Sequence, residues 1–189
     1  MTYKQNGKEK SWDLMEMHDG VAVIIYNITR NVLVFVKQFR PGVYYVNIPA
    51  ELRNKPIDMN KYPAKLGITL ELCAGIVDKN KSLAEIAKEE VLEECGYDVP
   101  LDNFEKLHAY SANVGCSGTI LTMYYCEITD DMKVSTGGGV EDEIIDVVEM
   151  TVDEFKKYCY QDVIKSPASV LVALHWFLLN KNVKKNSYV

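Results

Sequence analysis

Residues 75–97 read GIVDKNKSLAEIAKEEVLEECGY, and this stretch decides the fold. Ser82 with Glu85 three residues on is a capping box that starts a helix, and Gly96, with Asp98 and Pro100 behind it, ends one. Leu83, Ile86, Ala87, Val91 and Leu92 supply an apolar stripe, so the spacing predicts an amphipathic helix docked on a core. Glu90, Glu93 and Glu94 stand at i, i+3 and i+4, where helical side chains are neighbours. Such like charges repel unless a cation sits among them, and carboxylate oxygens select hard divalent ions. A plain solvated face also looks acidic. The context favours a site: residues 69–74 (TLELCA) read as a strand running into Gly75, so strand, glycine turn, loop and acidic helix meet at a strand end.

Upstream, residues 20–27 and 32–38 are apolar and β-branched around a turn at 28–31, which predicts a hairpin. Residues 46–65, with Pro49, Pro56 and Pro63, predict an irregular excursion near the site entrance. Downstream, residues 106–110, 120–128 and 144–149 read as strands, and 151–160 and 167–182 as helices, with Pro167 suited to a first turn. This order predicts an α/β fold, an α/β/α sandwich on a mixed sheet, as one domain over residues 20–189 with no internal repeat. Residues 1–19 form a separate strand-like segment with little of its own to pack on.

A chain of 189 residues, 48% hydrophobic and 25% charged, suffices for one ordinary core. Its net charge of −6 argues against a nucleic-acid partner, so anionic ligands must be met locally. Cys73, Cys95, Cys116, Cys126 and Cys159 have irregular spacing and no metal pattern, and read as buried thiols of a reducing compartment. No apolar leader follows Met1 and no run approaches a membrane span, so the expectation is a cytoplasmic protein with no membrane partner. His18 and His108 lack partners at metal spacing, and His175, in an apolar helix, reads as a core residue.

The stretch resembles the signature of the Nudix hydrolases: a glycine, five residues, a glutamate, seven residues, then arginine, glutamate, an aliphatic residue, any residue, two glutamates, any residue, glycine and an aliphatic or aromatic residue. Gly75, Glu90, Val91, Glu93, Glu94, Gly96 and Tyr97 match, while Lys81 replaces the first glutamate and Glu89 the arginine. Within that family QNGKEKSWDLMEMHDGVAV, VKQFRPGVY, ELCAGIVD, EECGY and GGGVEDEIIDVVEM resemble the uridine diphosphate glucose pyrophosphatases, relatives of the ADP-ribose pyrophosphatases. Residues 111–119 (SANVGCSGT) lack the proline that many ADP-ribose enzymes carry after the box.

The resemblance implies Mg²⁺-dependent hydrolysis of UDP-glucose to UMP and glucose 1-phosphate, with Mn²⁺ equally suited to oxygen ligands. Its alternatives are an ADP-ribose or ADP-sugar pyrophosphatase and a nucleotide-sugar-binding module with weak or no turnover, the last prompted by Lys81 and Glu89. It implies Glu90 and Glu94 as metal ligands, Glu93 as ligand to an ion or its water, and the Ala74 carbonyl as a further ligand. The general base is expected from the acidic triplet behind Gly137, Gly138 and Gly139, with Glu141 ahead of Glu143, on a hinged lid. Arg40 offers a guanidinium fork to phosphate, or equally to the acidic helix or a partner subunit. Trp12 is left between base stacking and an interface, and Lys81 between a place near the phosphates and one in solvent. The resemblance also implies a homodimer joined through residues 1–19.

Overall fold

The computed structural model describes residues 1–140 and 143–181. The strands are β1 (Thr2–Gln5), β2 (Lys8–Ser11), β3 (Gly20–Asn27), β4 (Val32–Phe39), β5 (Ile68–Glu71), β6 (Cys73–Ile76), β7 (Glu105–Ser111), β8 (Ile120–Ile128) and β9 (Ile145–Thr151). The helices are α1 (Pro41–Val46), α2 (Leu83–Cys95), α3 (Val152–Cys159) and α4 (Ala168–Asn180). Seven strands make one mixed sheet in the order β5-β4-β3-β8-β7, with β6 also on β3 and β9 also on β4. Among the described residues only the β3–β8 pair is parallel.

Side chains alternate across this sheet with the period of two that a pleated strand imposes. Val21, Val23 and Ile25 of β3 pack with Ile86, Ala87 and Val91 of α2, while Ala22 and Ile24 pack with Val170, Ala173, Leu174 and Phe177 of α4. Phe155 of α3 closes on Phe35 with ring centroids 4.6 Å apart. The result is the expected α/β/α sandwich, α2 on one face and α3 with α4 on the other.

The hairpin of β3 and β4 positions the site. The two strands pair only beside their turn, Ile25 with Val34 and Asn27 with Val32. Beyond it they part, and residues 68–76 fill the gap: β5 runs along β4, with Val36 opposite Glu71, and β6 runs along β3, with Val23 opposite Cys73. The single strand expected over 69–74 is therefore two, broken at Leu72 where the chain crosses from one partner to the other. Its sequence pattern does not reveal the crossing, because both halves keep the same alternation.

Other differences are smaller. Pro167 is the N-cap of α4 rather than a first-turn residue, and α1 forms directly behind Arg40, started by Pro41. His175 is exposed, with Nδ1 2.7 Å from the Leu171 carbonyl, because the apolar stripe of α4 passes beside it. Cys116 is partly exposed while the other four thiols are buried. β1 and β2 form their own two-stranded sheet around Asn6 and Gly7, both at positive φ as a tight two-residue turn requires. No helix among the described residues is long and apolar enough to cross a membrane.

Candidate active site

The helix α2 is built as its sequence requires. The Ser82 side chain accepts from the Glu85 N–H and Glu85 returns the bond to the Ser82 N–H, completing the capping box. Gly96 takes φ 75° at the other end and donates to the Leu92 carbonyl. With both ends fixed and the apolar stripe buried, Glu90 and Glu94 point back across β6. Glu94 is 4% exposed, and its Oε2 accepts the Ala74 N–H at 3.0 Å. A Cβ at Gly75 would stand 2.0 Å from Glu90 Oε1, so only glycine lets that carboxyl group lie on the strand.

These groups line a cleft of about 370 Å³ at the end of the sheet where β3 and β4 diverge. Ala74, Gly75, Glu90, Glu94, Arg40 and Glu143 all face it. Burial, more than any neighbour, pushes the Glu90 and Glu94 carboxyls up to about 7, and repulsion from Glu143 adds to both. Glu143 is held on its loop by the Val140 N–H, which donates to its Oε2 at 3.1 Å. The loop itself is docked: Gly138 donates to the Glu94 carbonyl at 2.9 Å and Gly139 to that of Glu93 at 3.1 Å. Gly137 is at φ 69°, where a Cβ would stand 2.2 Å from the Glu94 carbonyl oxygen. The three glycines anchor this segment to the last turn of α2, where the sequence had read a hinge. Glu141 lies outside the described residues.

Arg40 reaches the cleft from the end of β4, but its fork is already engaged. Nε and Nη2 donate to the two carboxylate oxygens of Glu71 at 2.8 and 2.7 Å, and Thr69 Oγ1 donates to Oε1 at 2.6 Å. Burial alone would raise Glu71, yet the bonds from Arg40 and Thr69 outweigh it and hold the carboxyl below its ordinary range. Arg40 thus pairs with β5, a partner the sequence reading did not name, and keeps Nη1 without a hydrogen bond among the described residues.

Three expected site residues are not gathered here. Glu93 is partly buried but outside the cleft lining. Lys81 turns to Glu89, forming an ion pair on the flank of α2. Trp12 is 53% exposed and donates from Nε1 to the Gly115 carbonyl at 2.8 Å, so it lies along the 113–119 loop of its own chain. The same N-terminal segment does enter the cleft a little later, at Met17 and His18. Those two, with Gln38, Asn113 and Thr119, are lining residues that sequence reasoning missed, and no local pattern marks them.

The donor set suits a hard divalent cation: carboxylate and carbonyl oxygens, repelling one another, with the nearby cation committed elsewhere. Among the described residues no three His, Cys, Asp or Glu side chains are already closed around one point. An ion held here would take Glu90 and Glu94 with main-chain or substrate oxygens completing its shell. Chemically, paired carboxylates beside an arginine could hold a metal-bound diphosphate.

No family model matches the chain. It is 37% identical over 187 residues to the uridine diphosphate glucose pyrophosphatase of Bos taurus, covering 93% of this chain and 84% of that one, and 36% identical to the enzyme of that name from Mus musculus. It is also 29% identical over 163 residues, 86% of this chain and 75% of the other, to the GDP-mannose pyrophosphatase of Cronobacter sakazakii.

Proposed function

Because the chain belongs to the Nudix hydrolases, we propose that it is a nucleotide-sugar pyrophosphatase that hydrolyses UDP-glucose to UMP and glucose 1-phosphate with Mg²⁺. One observation carries the reading: the matching box residues Gly75, Glu90 and Glu94 meet Arg40 and Glu143 in a single cleft. Mn²⁺ is the alternative ion for the same oxygen donors.

In this reading Glu90 and Glu94, with the Ala74 carbonyl, would hold the metal, and Glu93, on the flank, would be ligand to an ion or its water. A metal ion held by these residues would supply positive charge against the phosphates and lower the pKa of a water. Arg40 offers its remaining Nη1 hydrogens to a phosphate oxygen while Glu71 fixes the plane of the guanidinium. A carboxylate of the 141–143 loop removes the proton from water. Glu143 lines the cleft and is the described candidate, and Glu141, two residues earlier, is tested beside it. Trp12 and the exposed Leu14 and Met15 supply the face through which residues 1–19 join a second copy, giving a cytoplasmic homodimer.

The test is a panel of UDP-glucose, GDP-mannose and ADP-ribose offered to the purified protein with Mg²⁺, with products separated. UMP as the dominant product is expected. Dominant GMP is the second reading, favoured by the likeness to the GDP-mannose enzymes. Dominant AMP moves the protein to the ADP-ribose group, and substrate binding without any product would mark a binding module.

A further inference from the structure

The two positions at which the box departs from its pattern touch each other. Lys81 Nζ pairs with Glu89 Oε1, and Lys79 Nζ lies 3.3 Å from Oε2, so each lysine takes one oxygen of the same carboxylate. The turn is folded for it: the Lys81 N–H donates to the Lys79 carbonyl at 2.9 Å, which brings side chains two residues apart to one side. Both lysines belong to the loop that leaves β6, and Glu89 belongs to the second turn of α2. None of the three lines the cleft. Their ion pair instead joins the strand that bears Ala74 and Gly75 to the helix that bears Glu90 and Glu94.

The charges also fit this role. Glu89 adds a carboxylate immediately beside Glu90 and at i+4 from both Glu85 and Glu93, which would by itself raise repulsion along α2. Lys79 and Lys81 cancel it from the loop, and Lys79 stands within Coulombic reach of Glu90 and Glu93 as well. Where the box has an acid at position 81 and a base at 89, this chain has a base at 81 and an acid at 89. The two departures reverse one pair and leave its summed charge unchanged.

We infer that Lys81 and Glu89, with Lys79, are positioning residues: a polarity-reversed clamp that sets α2 against β6 and so fixes where Glu90 and Glu94 stand relative to Ala74 and Gly75 for a divalent cation. This rests on the reading of those two glutamates as ligands, and it removes the reason to treat the departures as signs of a silent enzyme.

The experiment is calorimetric titration of the full chain with Mg²⁺ alone, no nucleotide present, for the parent, Lys81→Glu, Glu89→Arg and the double swap. Each single swap should weaken Mg²⁺ binding about three- to tenfold, at or below the loss seen when partners of metal ligands are removed. The double swap should return to within about twofold of the parent, the non-additivity expected of a direct pair. Glu89→Gln, which keeps the shape and introduces no repulsion, guards against misfolding and should weaken binding about two- to threefold. Single swaps that bind Mg²⁺ like the parent, or a double swap as weak as the product of the singles, overturn the clamp. A parent that binds no Mg²⁺ overturns the ligand reading and the clamp's purpose with it.

Discussion

The β3–β4 hairpin has two charged ends, and they are built on opposite terms. At the closed end Arg30 donates from Nε to Asp130 at 2.6 Å, from Nη2 to Glu149 at 2.6 Å and to the Tyr97 hydroxyl at 3.0 Å, with Nη1 also on Glu149. Asn27 donates to the same Asp130 oxygen at 2.8 Å, and that bond, then Arg30, holds the Asp130 carboxyl below its ordinary range. Both acids there are bonded to that one guanidinium. At the open end Glu90, Glu94 and Glu143 share a cleft while the nearest guanidinium is spent on Glu71, and two of the three carboxyls are pushed up to about 7. Carboxylates matched within the chain hold structure together. Carboxylates left to repel in a cleft are kept for something that arrives from outside.

The contrast breaks most visibly at Glu94. Glu94→Gln should reduce Mg²⁺-dependent turnover by on the order of a thousandfold, since a lost ligand forfeits several kcal/mol of transition-state stabilisation. The same variant should unfold no earlier than the parent in metal-free buffer, because it removes a buried charge; melting curves beside kinetics check both, and activity near the parent's would refute the ligand role. Behind the docked glycines, loss of the base should cost roughly 10²- to 10⁴-fold in kcat with little change in substrate affinity. Glu143→Gln and Glu141→Gln, measured side by side, identify which residue it is.

Arg30→Met, at the closed end, should do the reverse: destabilise by about 1 kcal/mol, kept low because the side chain is 39% exposed, with kcat unchanged. Denaturant titration and kinetics decide it, and an activity loss would mean the two ends are not separate.

A further effect is in pH. Folded-state values near 7 against an ordinary 4.5 mean that the metal-free protein binds protons at Glu90 and Glu94 more tightly than its unfolded chain. Their contribution to stability is therefore whole below about 4.5 and is lost as pH rises through about 7. Melting temperature without metal should decline across that window, and added Mg²⁺ should raise it more at pH 8 than at pH 5.5. At the closed end Asp130 has the opposite sign, contributing above its ordinary value of 3.8 and losing that contribution in acid. An Mg²⁺ effect that does not grow with pH would show that the raised carboxyls are not where the ion binds.

Local chemistry explains which parts were legible in the sequence. The capping box, the Gly96 stop and the apolar stripe fix α2 within its own residues, and β3 and β8 match the stretches at 20–27 and 120–128. What depends on distant partners was hidden. Glu71 sits in an apolar strand with nothing nearby to say that Arg40, 31 residues before it, will close on it. Met17 and His18 reach the cleft only because the chain runs along the 113–120 loop, tied by the Met15 N–H to the Cys116 carbonyl at 2.7 Å and by Asp19 to the Ile120 N–H at 2.7 Å. The glycine run at 137–139 reads as freedom in one dimension and is an anchor in three.

The crossing at Leu72 sets a rule about length rather than identity. Leu70 and Leu72 face α4, Cys73 faces α2, and the Ala74 N–H that holds Glu94 follows in strict alternation. A single inserted or deleted residue between 70 and 74 would turn every later position of β6 to the other face and carry that N–H away from Glu94. Apart from Glu71, which holds Arg40, this short run can change its letters one at a time and keep the cleft. It cannot change their number.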